Sequence, residues 1–268
     1  METKHKQQKK PKIVTKPFLR GTAVDGQLAM NSLKYFGALV LMSIAFLLLG
    51  SMLMMDSAVL RIVINAAIMV CVYLLFYNSG LSKGTTAVNL GEMLYMRREN
   101  GHAVSKADER ACFHPAKGFI IALIGSAPLV ICGCLLAATA QIQMTGLSTL
   151  PSWLETFERR TEIGSALAYY HQTASMGLED VTRLLVRMNL MPVVGMIGTE
   201  NAAGLLLMEQ LSPLVMLLPA LFYGVGYTRG VTVRTQIHTS IASNNRKRAK
   251  REKKQRQARA RRAPERLN

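Results

Sequence analysis

The chain has 268 residues and a formal net charge of +17; half of the residues are hydrophobic and only 18% are charged. A disordered polycation lacks that apolar content, and an ordinary soluble domain does not segregate its charge from its apolar residues this way. Here the apolar residues lie in a few nearly uncharged runs with most basic residues outside them, which predicts an all-α integral membrane protein: a bundle of four transmembrane helices with amphipathic surface helices.

Residues 1–34 read as a basic N-terminal tail. The first apolar run begins only after it and is too long for a secretory signal, so an uncleaved signal-anchor is expected. About 20 apolar residues cross roughly 30 Å of hydrocarbon. Residues 35–55 suffice with no internal charge, and 59–77 suffice with Arg61 near their start. Only Asp56, Ser57 and Ala58 separate the two, so 35–77 is expected to be an antiparallel transmembrane hairpin.

The polar stretch 78–117 predicts two short helices along the cytoplasmic surface. One covers 87–99 and stops at Asn100-Gly101; the next begins at Ser105, with Asp108 three residues on, and breaks before Pro115. Gly80-Leu81-Ser82-Lys83-Gly84 has the composition of a phosphate loop without its spacing. Residues 118–140 form the third span, with Pro128 inside and a stripe of small residues, Gly118, Ala122 and Ser126, suited to close helix packing.

Residues 141–202 make the one sizeable outer loop. Ser152 and Glu155 predict a capped helix near Trp153. Residues 178–191 predict an amphipathic helix with Leu178, Val181, Leu184, Leu185 and Met188 on one face and Glu179, Asp180, Arg183 and Arg187 on the other, ended by Pro192 and Gly195. Both helices are expected at the outer mouth of the bundle, afloat at the interface or closing a cavity as a lid. Residues 184–198 are too short and too polar to cross. The fourth span, 203–227, contains Glu209, Pro213 and Pro219 and a second small-residue stripe, Ala220, Gly224 and Thr228. A basic tail, 228–268, completes the chain.

Charge sets the expected orientation. The tail 1–34 holds 8 Lys or Arg, 78–117 holds 6 and 228–268 holds 14, together 28 of 33. Four spans place all three regions on one face, and the positive-inside rule makes that face cytoplasmic. The expected location is therefore the cell membrane, with both termini in the cytoplasm.

Glu209 is the most informative single residue. An ionisable group in hydrocarbon costs about 2.5 kcal/mol or more, so it normally faces protein or water. Arg61 lies near the same outer level, and an intramembrane Arg61–Glu209 pair is expected, either a staple between helices or a proton or substrate site. The strongest compositional signal is residues 246–262, where Arg246, Lys247, Arg248, Lys250, Arg251, Lys253, Lys254, Arg256, Arg259, Arg261 and Arg262 surround a single acid, Glu252. Aromatics are absent, so phosphate contacts rather than base stacking are expected. The segment reads as a conditional helix formed on contact with polyphosphate. Its simplest partner is the anionic headgroup layer of the inner leaflet, at about 1 kcal/mol per basic residue near the surface; ribosomal RNA and an acidic protein are the other anionic partners, and a homo-oligomer or larger membrane complex is a natural setting.

Cys71, Cys132 and Cys134 lie in apolar runs and only Cys112 lies outside, which leaves no disulfide framework. Cys112 and His114 lack further ligands, so no metal is expected. No catalytic motif or cofactor fingerprint occurs. The sequence reads as a non-enzymatic membrane adaptor or assembly factor without a cofactor. The alternative is a small-solute transporter or permease subunit using the kinked fourth span and Glu209.

Overall fold

The computed structural model describes residues 13–50, 57–140, 178–198 and 201–262. Every regular element among them is a helix: α1 (Leu28–Leu48), α2 (Ala58–Glu99), α3 (Lys106–Ala111), α4 (Lys117–Thr139), α5 (Leu178–Asn189), α6 (Met191–Ile197) and α7 (Ala202–Arg262). Four of them, α1, α2, α4 and α7, are long and apolar enough to cross a membrane. The expected helix near Trp153 and most of the turn between the first two spans fall outside the described residues.

Two helices outrun any span. At 1.5 Å per residue, the 42 residues of α2 extend about 63 Å and the 61 residues of α7 about 90 Å. The separate surface helix expected over 87–99 is instead the far end of α2, which ends at Asn100 and Gly101 (φ 79°) as its sequence indicates. The glycines and hydroxyl residues of 78–86 read locally as a loop. They stay helical because another helix packs on them, and packing overrides weak propensity.

That helix is α7, which runs beside α2 in the same direction and makes with it the most extensive contact in the structure. A Cβ on Gly80 would overlap the carbonyl of Tyr223, one on Gly84 the carbonyl of Tyr227, and one on Gly226 the carbonyl of Tyr77. Gly230 meets the backbone of Gly84. The fragment Gly80-Leu81-Ser82-Lys83-Gly84 is thus a helix–helix contact. The expected small-residue stripe on α4 also packs, with Gly118 against the Tyr227 side chain, and α1 crosses α4 where Gly125 meets the backbone of Ser32. Tyr35 joins α1 to α2 and α7, 5.4 Å from the ring of Phe76 and 5.1 Å from that of Tyr223.

α7 passes through Pro213 and Pro219 without ending. Proline has no N–H, so Pro213 cannot serve the carbonyl of Glu209 four residues earlier. The Ser212 hydroxyl donates to that carbonyl instead, at 2.8 Å. Beyond Tyr227 the helix continues directly into the basic residues, whose Ala, Gln, Lys, Arg and Glu are good helix formers. The expected separate, conditional helix is therefore one piece with the fourth apolar helix.

The chain before α1 crosses the far ends of α2 and α7. Leu19 N–H donates to Gly91 O at 3.1 Å, Gly21 N–H to Phe113 O at 3.0 Å, and Val14 N–H to the Thr239 hydroxyl at 3.2 Å. α3 begins as its sequence predicts, with the Ser105 hydroxyl accepting from Ala107 N–H. Lys117, buried at the start of α4, ties these parts together: its ammonium sits 3.0 Å from Asp25 and donates to the carbonyls of Arg110 and Cys112 at 2.8 and 2.9 Å.

The close α2–α7 contact makes a direct prediction. Gly84→Leu forces the two backbones apart and lowers stability by about 3 kcal/mol or more, at the upper end of overpacking effects. Gly37→Ala, where a Cβ meets nothing within 4 Å, is neutral or mildly stabilising. Thermal unfolding of the two variants in detergent checks the contrast.

Candidate functional site

Besides the Lys117 tie, the described residues gather buried charged groups at two places. The first is at the end where α1 finishes and α2 and α7 begin. Glu209, 1% exposed, lies two turns into α7 and is held by two arginines of α5. Arg183 Nε lies 3.1 and 3.2 Å from the two carboxylate oxygens, and Arg187 donates to Oε1 from Nε at 2.8 Å and from Nη2 at 2.6 Å. Arg183 and Arg187 are four residues apart and so share one helix face, which lets a single carboxylate serve both.

α5 is docked on the apolar helices. It packs against α4 and α1 and buries Thr182, Arg183, Val186 and Asn189, while Leu178, Val181 and Leu185 point outward. Part of its apolar face is therefore exposed and its arginines are turned inward, the reverse of a helix lying on a water-soluble core. The Asn189 side chain donates to the Ser43 hydroxyl on α1 at 2.8 Å. Pro192 does not merely stop α5. It occupies the first turn of α6, where its missing N–H leaves no bond unmade, and Gly195 packs within α6 against the Asn65 side chain.

The expected Arg61–Glu209 pair is corrected by this geometry. Arg61 is on α2, and its guanidinium packs at Gly198, just after α6. The inserted α5 supplies the cations that reach Glu209. Arg61 Nε is buried with no hydrogen-bond partner among the described residues. The i, i+4 spacing of Arg183 and Arg187 was the available signal; assigning 141–202 to the surface obscured it.

The second polar place clamps the far parts of α2 and α7. Glu92 on α2 is buried, with Arg234 Nε 3.0 Å from Oε2 and His238 Nε2 2.8 Å from Oε1. Arg234 Nη2 also donates to Asn89 Oδ1, at 2.6 Å. Sequence reading missed this cluster. Its signal was spacing again, Asn89 and Glu92 three apart on one helix and Arg234 and His238 four apart on the other. Burial pushes the Glu92 carboxyl up, but the hydrogen bonds and charge of Arg234 and His238 outweigh burial and hold it below its ordinary value.

Past the clamp, α7 carries the basic cluster. Arg246, Lys247, Arg248, Lys250, Arg251, Lys253, Lys254 and Arg256 are exposed, while Arg259, Arg261 and Arg262 continue the helix backbone. At 100° per residue these eleven positions occupy every face of the helix, and alanine is the only apolar residue among them. Comparison with known proteins finds no matching family, curated protein or solved structure.

Glu209→Gln removes the negative charge shared by two arginines and lowers stability by about 3–5 kcal/mol. In double-mutant cycles by thermal unfolding, Glu209→Gln couples to Arg187→Met by about 1 kcal/mol or more, whereas its combination with Arg61→Met is additive within about 0.5 kcal/mol. For Glu92, a lowered carboxyl pKa in the folded chain gives a stabilisation that is complete above the ordinary value of 4.5 and lost as pH falls through the lowered one. Glu92→Gln therefore shows a flatter loss of stability on acidification below that value than the unaltered chain.

Proposed function

We propose that the chain is a non-enzymatic membrane adaptor, with both termini in the cytoplasm, that holds a stiff cationic helix away from the membrane to bind RNA through its phosphates. The observation that carries the reading is the continuity of α7 from its apolar part to Arg262. Arg246 lies 19 residues beyond Tyr227, about 28 Å along the axis. The Debye length is about 8 Å at physiological ionic strength, so the attraction of an anionic leaflet falls to a few per cent over that distance. Geometry thus weakens the inner-leaflet reading for the tail.

Composition separates the two remaining partners. A protein interface needs a desolvated core with aromatic or aliphatic anchors, and residues 244–262 offer nothing larger than alanine. Phosphate binding needs no such core, and cations on every face suit an RNA groove or fold that surrounds the rod. The transporter reading loses its main support, because the Glu209 carboxylate is buried and held by two arginines and its freed carbonyl is taken by Ser212.

The test uses the purified full-length chain in detergent and a structured RNA of defined sequence. Binding measured by fluorescence anisotropy should fall with salt at a log–log slope of about −5 or steeper, as six or more phosphate contacts require. Changing the eleven basic residues of 246–262 to glutamine should remove that binding while leaving thermal unfolding of the apolar part unchanged. A slope near zero, or equal binding by the glutamine variant, contradicts the proposal. Equal competition by anionic vesicles returns the tail to the leaflet.

A further inference from the structure

We infer that the groove between α1 and α2 is a binding site for one anionic phospholipid, independent of the basic tail but resting on the membrane reading of the apolar helices. The groove has a volume of about 300 Å³ and is closed at its back by Tyr35, Phe76 and Tyr223. That volume lies at the lower end of the usual range of ligand pockets, about 300–1,000 Å³. It opens outward past Leu75, which is 67% exposed.

Three observations fix the occupant. The first is chemistry along the groove: Ala38, Met42 and Val72 make its body apolar, and Lys34 and Lys83 stand at one end with exposed ammonium groups. Neither lysine has an ion-pair partner among the described residues. The second is depth. From Lys34 to Met42 the axis of α1 advances about 12 Å, and from Lys83 to Val72 that of α2 advances about 16 Å. One leaflet of hydrocarbon is about 15 Å deep. The groove therefore has the length of an acyl chain in a single leaflet, with cations where the headgroup phosphate would lie.

The third is a polar atom without a partner. Tyr35 is 4% exposed and lines the groove, and its hydroxyl is buried with no hydrogen-bond partner among the described residues. A buried hydroxyl normally finds one; a lipid that enters beside the ring and turns it toward the groove supplies an acceptor in its ester or glycerol oxygens. Asn31 and Ser79, also on the lining, add donors at the headgroup level. In the proposed orientation this end faces the cytoplasm, so the lipid belongs to the inner leaflet.

Native mass spectrometry of the full-length chain in a neutral detergent, titrated with phosphatidylglycerol, phosphatidylcholine or glycerol phosphate, tests the site. One phosphatidylglycerol per chain should bind about thirtyfold more tightly than phosphatidylcholine, the weight of two ammonium contacts at about 1 kcal/mol each. Glycerol phosphate alone should give no adduct. Lys34→Gln combined with Lys83→Gln should bring phosphatidylglycerol down to the phosphatidylcholine level, and Ala38→Trp should remove the single adduct of both lipids by filling the groove. The glutamine-substituted tail should leave that adduct unchanged. Equal binding of both phospholipids, or an adduct untouched by the lysine changes, overturns the site. Binding of glycerol phosphate as tightly as the lipid makes it a phosphate site without an acyl chain and overturns it as well. A chain that stays dispersed without detergent defeats the membrane reading itself, a result distinct from these.

Discussion

The structure depends on how closely α2 and α7 approach. Gly80 and Gly84 on one helix and Gly226 and Gly230 on the other bring backbone against backbone, leaving no room for a Cβ at any of these positions. Close packing of small residues gives such a contact many van der Waals neighbours, an attraction that does not depend on burying apolar surface from water. The contact also forces two long helices to run together past their apolar parts. Glu92, Arg234, Asn89 and His238 then lock them by charge and hydrogen bonds where small residues give out. A stiff stem results, and everything beyond it is aimed by it.

Charge plays different parts along this stem. At one end Glu209 is buried between two arginines of an inserted helix, which makes it a fixture of the fold. Taking such charges out of water is costly, and the cost is offset only by good geometry and hydrogen bonds; the 2.6 to 3.2 Å contacts to Arg183 and Arg187 provide both. At the other end the eight cations from Arg246 to Arg256 stand exposed on the helix, with no ion-pair partner among the described residues. The same residue types thus act as internal staples or as a binding surface according to burial alone.

Much of this was legible in the sequence. Four apolar runs of sufficient length gave four helices long and apolar enough to cross a membrane, because hydrophobic length is a property of the segment itself. The ends at Asn100-Gly101 and Ser105 were legible for the same reason, since caps act within a few residues. What was hidden depends on distant partners. Gly80 and Gly84 look like a loop until Tyr223 and Tyr227, more than 140 residues away, pack on them. Arg183 and Arg187 look like a solvated face until α5 packs on α1 and α4 and turns them toward Glu209. Glu209 stood out as an ionisable group in an apolar run, but hydropathy cannot choose between arginines that only tertiary packing brings near.

The central claim is that α7 is a single rigid helix from the apolar part through the basic cluster. Its most direct test is a distance measurement by pulsed electron paramagnetic resonance, with the four native cysteines replaced and spin labels placed by Arg229→Cys and Ala258→Cys, both exposed positions. A continuous helix places these 29-residue-separated sites about 44 Å apart along the axis, and the account predicts one narrow distribution near that value. A broad distribution centred well below it would mean the basic segment folds back or unwinds, and the stem would not aim it.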